Sequence, residues 1–301
     1  MTLRPVAAAA VLAGLLGASL PALAAGCPGL PPVGGVAEQD GRRAWLAAPR
    51  DSYHHGVFGE PREPGALVLQ GAAAGPDGLD CQVVVLPQDR VFEDRQPRFW
   101  DADGDGGAEL VLVEAQLDSG ARLVVYGLGD GVPAPAAEAA PLGFHRWLSP
   151  AGVVPWDKAG GPLLAVVTTP HIGGVLRLYR YRPGTDRLEE VAQLAGWSTH
   201  RFGSGLPSTA LVDRTAGGDA WIVLPDRARR SLSRVRWREG AWQVQALGDL
   251  EAEIAGAIAV ARDGCHYVVP AASATLSVPR PPFPGEAAPG EVPRAGCPAV
   301  Q

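Results

Sequence analysis

The sequence has no asparagine, one methionine, and a single lysine, Lys158, against 25 arginines. Without asparagine there is no N-glycosylation acceptor. Arginine in place of lysine reads as the codon bias of a GC-rich bacterial genome. Long helical stretches are also scarce, because 39 glycines and 29 prolines interrupt the chain. Leu250 to Ala261 is the best helical candidate beyond the N-terminus, and it still reads as a connection into a strand. No apolar run after the first 25 residues is long enough to span a bilayer. A net charge of −6 gives no electrostatic reason to bind nucleic acid. No Gly-x-Ser-x-Gly elbow is present, so no nucleophile is nominated and no residue is assigned as catalytic or cofactor-binding.

The N-terminus has the order of a secretory signal. Arg4 is followed by an apolar run from Ala7 to Leu20 and by small-residue cleavage sites at Ala22–Ala25. Residues 1–25 are therefore expected to be removed, leaving a periplasmic or secreted protein. Four cysteines remain: Cys27, Cys81, Cys265 and Cys297. An even count in an oxidising compartment predicts two disulfides. Three pairings are open, including a bond between the two ends of the chain, and the spacing fits no zinc pattern.

The chain repeats. Gly106 to Val113 matches Gly160 to Val167 at an offset of 54, and the match continues to Val125 and Tyr179. Further copies centre on Trp45, Ile222 and Val268. The clearest unit offers four strands: Val153–Trp156, Leu163–Thr169, Val175–Tyr181 and Leu188–Leu194. Val175 to Tyr181 alternates as a half-exposed strand does, whereas Leu163 to Val167 is continuously apolar, as in a strand covered on both faces. Four antiparallel strands per repeat, one of them buried, is the anatomy of a propeller blade. The expectation is an all-β β-propeller over residues 26–278, with five blades favoured and six or seven possible. Residues 279–301 read as a Pro-rich tail.

The most specific motif is Asp101-Ala102-Asp103-Gly104-Asp105-Gly106-Gly107-Ala108-Glu109. Alternating aspartates can turn three carboxylates inward, Gly104 and Gly106 allow left-handed turns, Gly107 can offer its carbonyl, and Glu109 closes the far side. Hard cations such as Ca²⁺ take six to eight such oxygens. An EF-hand would need Glu at position 112, which is Leu112, and flanking helices. Arg98 to Trp100 and Leu110 to Val113 read as strands instead.

This stretch, with Leu110 to Ala115 and Gly120 to Tyr126 after it, resembles an FG-GAP repeat, the blade type of the integrin α propeller and of bacterial VCBS-type repeat proteins. Leu46 to Pro49, Val167 to Pro170, Ile222 to Pro225 and Val268 to Pro270 stand where that family has Gly-Ala-Pro. The resemblance implies one Ca²⁺ held by Asp101, Asp103, Asp105, Glu109 and the Gly107 carbonyl. The copy at Trp156 to Gly161 keeps only Asp157 of the acidic positions, and the copy at Asp213 to Asp219 is also incomplete. The resulting expectation is a monomeric calcium-binding propeller of the cell envelope, acting as a binding or structural module for a protein or glycan ligand. The alternative is a propeller hydrolase or lactonase, which would gather histidines or carboxylates from several blades at one end of the central channel.

Two further patterns carry expectations. His145-Arg146-Trp147 and His200-Arg201-Phe202 look in phase and read as repeated loop caps, the competing possibility being a polar ring at one mouth. Arg234, Arg236 and Arg238 alternate and read as a solvated outer face.

Overall fold

The structure, a computed structural model, describes residue 27 and residues 29–71, 80–129, 132–157, 161–215 and 218–283. The signal segment, Cys297 and most of the Pro-rich tail lie outside the described residues. Within them the chain is all-β, with no helix, and no helix long and apolar enough to cross a membrane.

Five antiparallel sheets follow one another. Sheet 1 holds β1 (Val36–Gln39), β2 (Arg42–Arg50), β3 (Glu63–Gln70) and β4 (Cys81–Val85). Sheet 2 holds β5 (Arg90–Phe92), β6 (Arg98–Trp100), β7 (Glu109–Gln116), β8 (Gly120–Gly127) and β9 (Ala134–Glu138). Its first strand is interrupted, since β5 and β6 both pair with β7 on either side of residues 93–97. Sheet 3 holds β10 (Leu148–Asp157), β11 (Gly161–Thr168), β12 (Val175–Arg180) and β13 (Glu189–Ala195). Sheet 4 holds β14 (Leu211–Arg214), β15 (Ala220–Pro225), β16 (Ser231–Arg238) and β17 (Ala241–Asp249). Sheet 5 has three strands, β18 (Ala259–Val260), β19 (His266–Pro270) and β20 (Thr275–Pro279). This is the expected five-blade, propeller-like arrangement, and β6 and β7 flank the acidic turn as strands.

Side-chain alternation on the second and third strands builds the seams between sheets. Ala44, Leu46, Leu67 and Leu69 of sheet 1 pack on Leu110, Leu112, Val124 and Tyr126 of sheet 2. The opposite parity, Val111, Val113, Leu123 and Val125, meets Leu164 and Val166 of sheet 3. Leu163, Ala165 and Val167 then face Ile222 and Leu224 of sheet 4, and Val223 and Leu232 face Tyr267 and Val269 of sheet 5. Each fully buried Leu or Val contributes about 1.5–3 kcal/mol, so these seams outweigh the surface ion pairs as the source of stability. Among the described residues, no apolar cluster joins sheet 5 to sheet 1. The free side of sheet 1, Trp45, Ala47 and Val68, is covered by Cys27 and Leu30, and Trp45 Nε1 donates to the Leu30 carbonyl at 2.8 Å.

Cys27 is bonded to Cys81. A bond from Cys27 to the C-terminal cysteines is therefore ruled out: the bridge staples the N-terminal segment to β4, the edge strand beside it. Cys265 is disulfide-bonded as well.

The arginine alternation on β16 is corrected by the structure. Arg234 and Arg236 are buried, and each guanidinium carbon lies 4.5 Å from the Trp221 ring centroid. The short sheet 5 leaves this part of sheet 4 to be covered by residues 280–283. Arg234 donates to the carbonyls of Pro281 and Pro282 at 2.9 and 3.0 Å, and Arg280 donates to both Asp213 carboxylate oxygens at 2.7 Å.

Strand direction fixes which loops share an end. In an up-and-down sheet the turns from first to second strand lie at one end. The second-to-third turns and the links to the next sheet lie at the other. The acidic turn between β6 and β7 belongs to the first end. The loops 51–62, 139–147, 169–174 and 196–210 belong to the second.

Candidate functional site

At the first end, the acidic turn folds on its own backbone. Asp101 accepts from the amides of Gly104 at 2.6 Å and Gly106 at 3.2 Å, and Asp103 accepts from the Asp105 amide at 3.1 Å. Gly104 and Gly106 take positive φ, 86° and 92°, as a turn that doubles back this tightly requires. Glu109 accepts from the Ala102 amide at 2.9 Å. Its carboxyl is pushed up by burial and by the charges of Asp103 and Asp105, against the Ala102 N–H that holds it down.

Asp101, Asp103 and Glu109 bring one carboxylate oxygen each within 4.8 Å of one another, a set able to hold a divalent ion. Asp105 is exposed and turns its Oδ1 to the Gly107 amide at 2.6 Å, so it stands outside this trio, as does Gly107. A cleft of about 600 Å³ opens beside the turn, lined by Phe99, Trp100, Asp101, Val153, Pro155 and Arg214. It draws on the first strands of sheets 2, 3 and 4.

The second end is built differently. Four loops from different parts of the chain bring four histidines together: His55 from 51–62, His145 from 139–147, His171 from 169–174 and His200 from 196–210. His55 and His145 stack, with centroids 4.9 Å apart and planes at 5°. His171 Nε2 lies 2.7 Å from His200 Nδ1. Phe202 presents an edge to both His55 and His171, at 5.8 and 5.3 Å. The loops are tied by backbone, with the Gly203 amide donating to the Val57 carbonyl at 2.8 Å. Phe58 and Trp147 form the floor beneath His200.

Hydrogen bonding fixes the tautomers of one pair. His200 Nε2 is 3.0 Å from the Ser204 carbonyl, which can only accept. Burial holds His200 at about 4 and His171 at about 3, so both are neutral at pH 7. His200 therefore donates from Nε2 and accepts at Nδ1 from His171 Nε2–H. That leaves the His171 Nδ1 lone pair unprotonated.

The deepest contact is between His55 Nδ1 and Glu93 Oε1, at 2.5 Å. Glu93 is 0% exposed and comes from the break between β5 and β6. Burial pushes its carboxyl well up, and burial also lowers His55. Both partners thus move toward their neutral forms, with the Glu93 carboxyl donating from Oε1 to His55 Nδ1 and the ring proton on Nε2. Glu63 Oε1 is buried without a hydrogen-bond partner, and the Tyr53 hydroxyl and the Glu93 carboxyl are buried beside each other. Glu63 is raised to about 8 by burial and then by the charges of Glu93 and Glu60. A buried oxygen left unpaired in such a place is costly.

His145 and His200 are not equivalent. His145 sits just before β10, while His200 lies in an excursion between the Trp197–Asp226 bridge and β14. They meet at one mouth instead of capping successive sheets in phase. Glu93, Tyr53 and Glu63 carried no motif. A signal did exist: His55 and His171 each follow an apolar strand ending in proline, and His145 and His200 precede the next one, so all four belong to one end of the repeat.

No protein-family model matches the sequence, and no curated protein matches it. Among solved structures, the chain is similar to a proposed 6-phosphogluconolactonase from Bacteroides fragilis NCTC 9343, with 12% identity over 79% of this chain and a TM-score of 0.41. A second proposed 6-phosphogluconolactonase, from Bacteroides uniformis ATCC 8492, gives 12% over 78% and 0.44. The exotype rhamnogalacturonan lyase YesX gives 13% over 82% and 0.42. The chain spans 63%, 62% and 55% of their respective lengths. None of these comparisons singles out an FG-GAP or integrin-type repeat.

Proposed function

We propose that the protein is a propeller-like hydrolase whose acid–base centre is the His55–Glu93 pair at the histidine end. One observation carries this reading: a solvent-free carboxyl holds the imidazole of His55 at 2.5 Å, within a cluster drawn from four separate loops. A buried carboxylate fixes ring orientation and steadies the imidazolium that forms when the ring takes a proton. Once the pair has given up one proton, Glu93 is ionised and the ring proton sits on Nδ1; Nε2 then removes a proton from water as the water oxygen attacks a carbonyl carbon. The carbon–oxygen bond to the leaving group then breaks, and the departing oxygen takes the proton back from Nε2. An ester or lactone is converted to acid and alcohol with no other reactant.

The test is hydrolysis of a panel of esters and lactones by the purified protein and by His55→Gln. Turnover that falls by about 10²–10⁴ in the variant supports the reading. Turnover unchanged in the variant, or none on the whole panel, counts against it.

A second reading rests on the Asp101, Asp103 and Glu109 trio. In it the protein is an exported envelope module for a protein or glycan ligand, with Ca²⁺ bracing the β6–β7 turn. The all-oxygen donor set suits a hard cation, and Glu109, lifted by burial and then by its acidic neighbours, is the group a cation would relieve. Calorimetric titration with CaCl₂ tests it, and an absence of heat at millimolar Ca²⁺ removes the brace.

A further inference from the structure

The rim of the histidine end exposes apolar side chains beside Arg146 and Arg201. Of the six phenylalanines in the chain, four are buried or half-buried, and the two exposed ones both stand here: Phe144 at 61% and Phe202 at 52%. Ile172, 61% exposed, follows His171 on the same loop. Each of these side chains touches or adjoins a histidine. Phe144 stacks on His145, with centroids 3.9 Å apart and planes at 18°, and His145 stacks on His55 in turn. Phe202 bridges His55 and His171. Isolated exposed apolar residues need no explanation, but three from three loops around one polar centre do.

The centre they surround carries little charge. All four histidines are lowered toward their neutral forms by burial. Asp94 is neutralised by Arg98 at 2.6 Å, Arg95 pairs with Glu60, and Arg229 pairs with Glu253 at 2.6 Å. Arg146, exposed, is the cation that acts on His55 from the rim. The buried groups themselves offer a neutral floor, which suits a carbonyl compound carrying an apolar group.

We propose that the histidine end takes a small neutral ester or lactone bearing an alkyl or aryl group, and that this group displaces the Phe202 ring and lies against Phe144 and Ile172. The bond-breaking role of His55 rests on the hydrolase reading, whereas recognition of the apolar group does not. Phe202 presents its edge to both His55 and His171, and the Gly203 amide ties its loop to the Val57 carbonyl. The ring edge that meets both imidazoles occupies the place where a ligand's apolar portion is expected.

The experiment measures equilibrium affinity, so it does not depend on turnover. Non-hydrolysable amide analogues with butyl, hexyl and octyl chains are titrated calorimetrically into the wild-type protein and into the Phe144→Ser/Phe202→Ser double variant. Both residues are exposed, so the variant is expected to fold, and its melting curve checks that. Affinity should rise about fourfold per methylene in the wild type. The octyl analogue should lose at least tenfold in the variant, with the butyl analogue far less affected. Affinity independent of chain length, or an octyl affinity that survives the double substitution, overturns the proposal. So does a wild-type dimer that the substitutions convert to monomer, since the rim is then a contact between copies of this chain. Failure of His55→Gln to alter turnover would remove the hydrolase reading and leave this result standing.

Discussion

His55 Nδ1 approaches Glu93 Oε1 to 2.5 Å, and Glu93 reaches that position from a break in the first strand of sheet 2. The break is what allows the contact. A continuous β5–β6 would keep Glu93 in the ladder with β7, whereas residues 93–97 leave it and turn inward.

Glu93→Gln keeps the shape of the side chain but cannot ionise. Its amide can accept from His55 Nδ1–H but cannot steady the imidazolium. Turnover on any ester that the wild type hydrolyses should fall by about 10²-fold or more, with KM changing less than kcat. Steady-state kinetics with folding checked by circular dichroism measures this.

Acid should loosen the histidine end. His171 and His200 stand at about 3 and 4 in the folded protein, below the unfolded value of 6.5. The unfolded chain therefore binds protons that the folded chain refuses. Stability from this source is complete above pH 6.5 and is lost as pH falls toward 4 and 3. Urea midpoints at pH 7, 5.5 and 4.5 should drop in that order, and His171→Gln should shorten the drop.

Glu63 predicts the opposite limb. Its folded value of about 8 lies above the unfolded 4.5, so the folded state holds the extra proton. Its contribution is complete below pH 4.5 and is lost as pH rises through 8. Glu63→Gln should melt higher than the wild type at pH 8.5, by a few °C, and the advantage should vanish near pH 5.

Calcium should raise the melting temperature if Asp101, Asp103 and Glu109 hold it. At ten times a dissociation constant of about 10⁻⁴–10⁻³ M, the gain is on the order of a few °C. Asp103→Asn should abolish the shift. Asp105→Asn should weaken it less, because Asp105 points to the Gly107 amide.

Reduction of Cys27–Cys81 should cost more. The bridge spans 54 residues, for which loop closure gives about 4 kcal/mol. Cys81→Ser should melt well below the oxidised wild type and gain nothing further from reductant at that bridge.

Much of the architecture is legible from residue order. Continuous apolar runs such as Leu163 to Val167 mark strands buried on both faces, alternation marks Val175 to Tyr181, and glycines and prolines mark the turns. The acidic turn is legible because its chemistry is local, with all its acids inside nine residues. The histidine end is not local. His55, Glu93, His171 and His200 are brought together only by the stacking of sheets 1 to 4, and Glu93 gains its character from burial, which no neighbouring residue announces. The burial of Arg234 and Arg236 escapes a strand-by-strand reading for the same reason, since their cover comes from Pro281 and Pro282.

The placement of the two polar centres at opposite ends of the strands separates their chemistry. An ion at Asp101 is a strand's length away from the imidazoles, too far to polarise a carbonyl there or to change the proton held by Glu93. On the hydrolase reading, a chelated sample that stays folded should therefore keep the pH–rate curve of the untreated one, and a loss of turnover on chelation would report a change in the amount of folded protein, not in the His55–Glu93 pair.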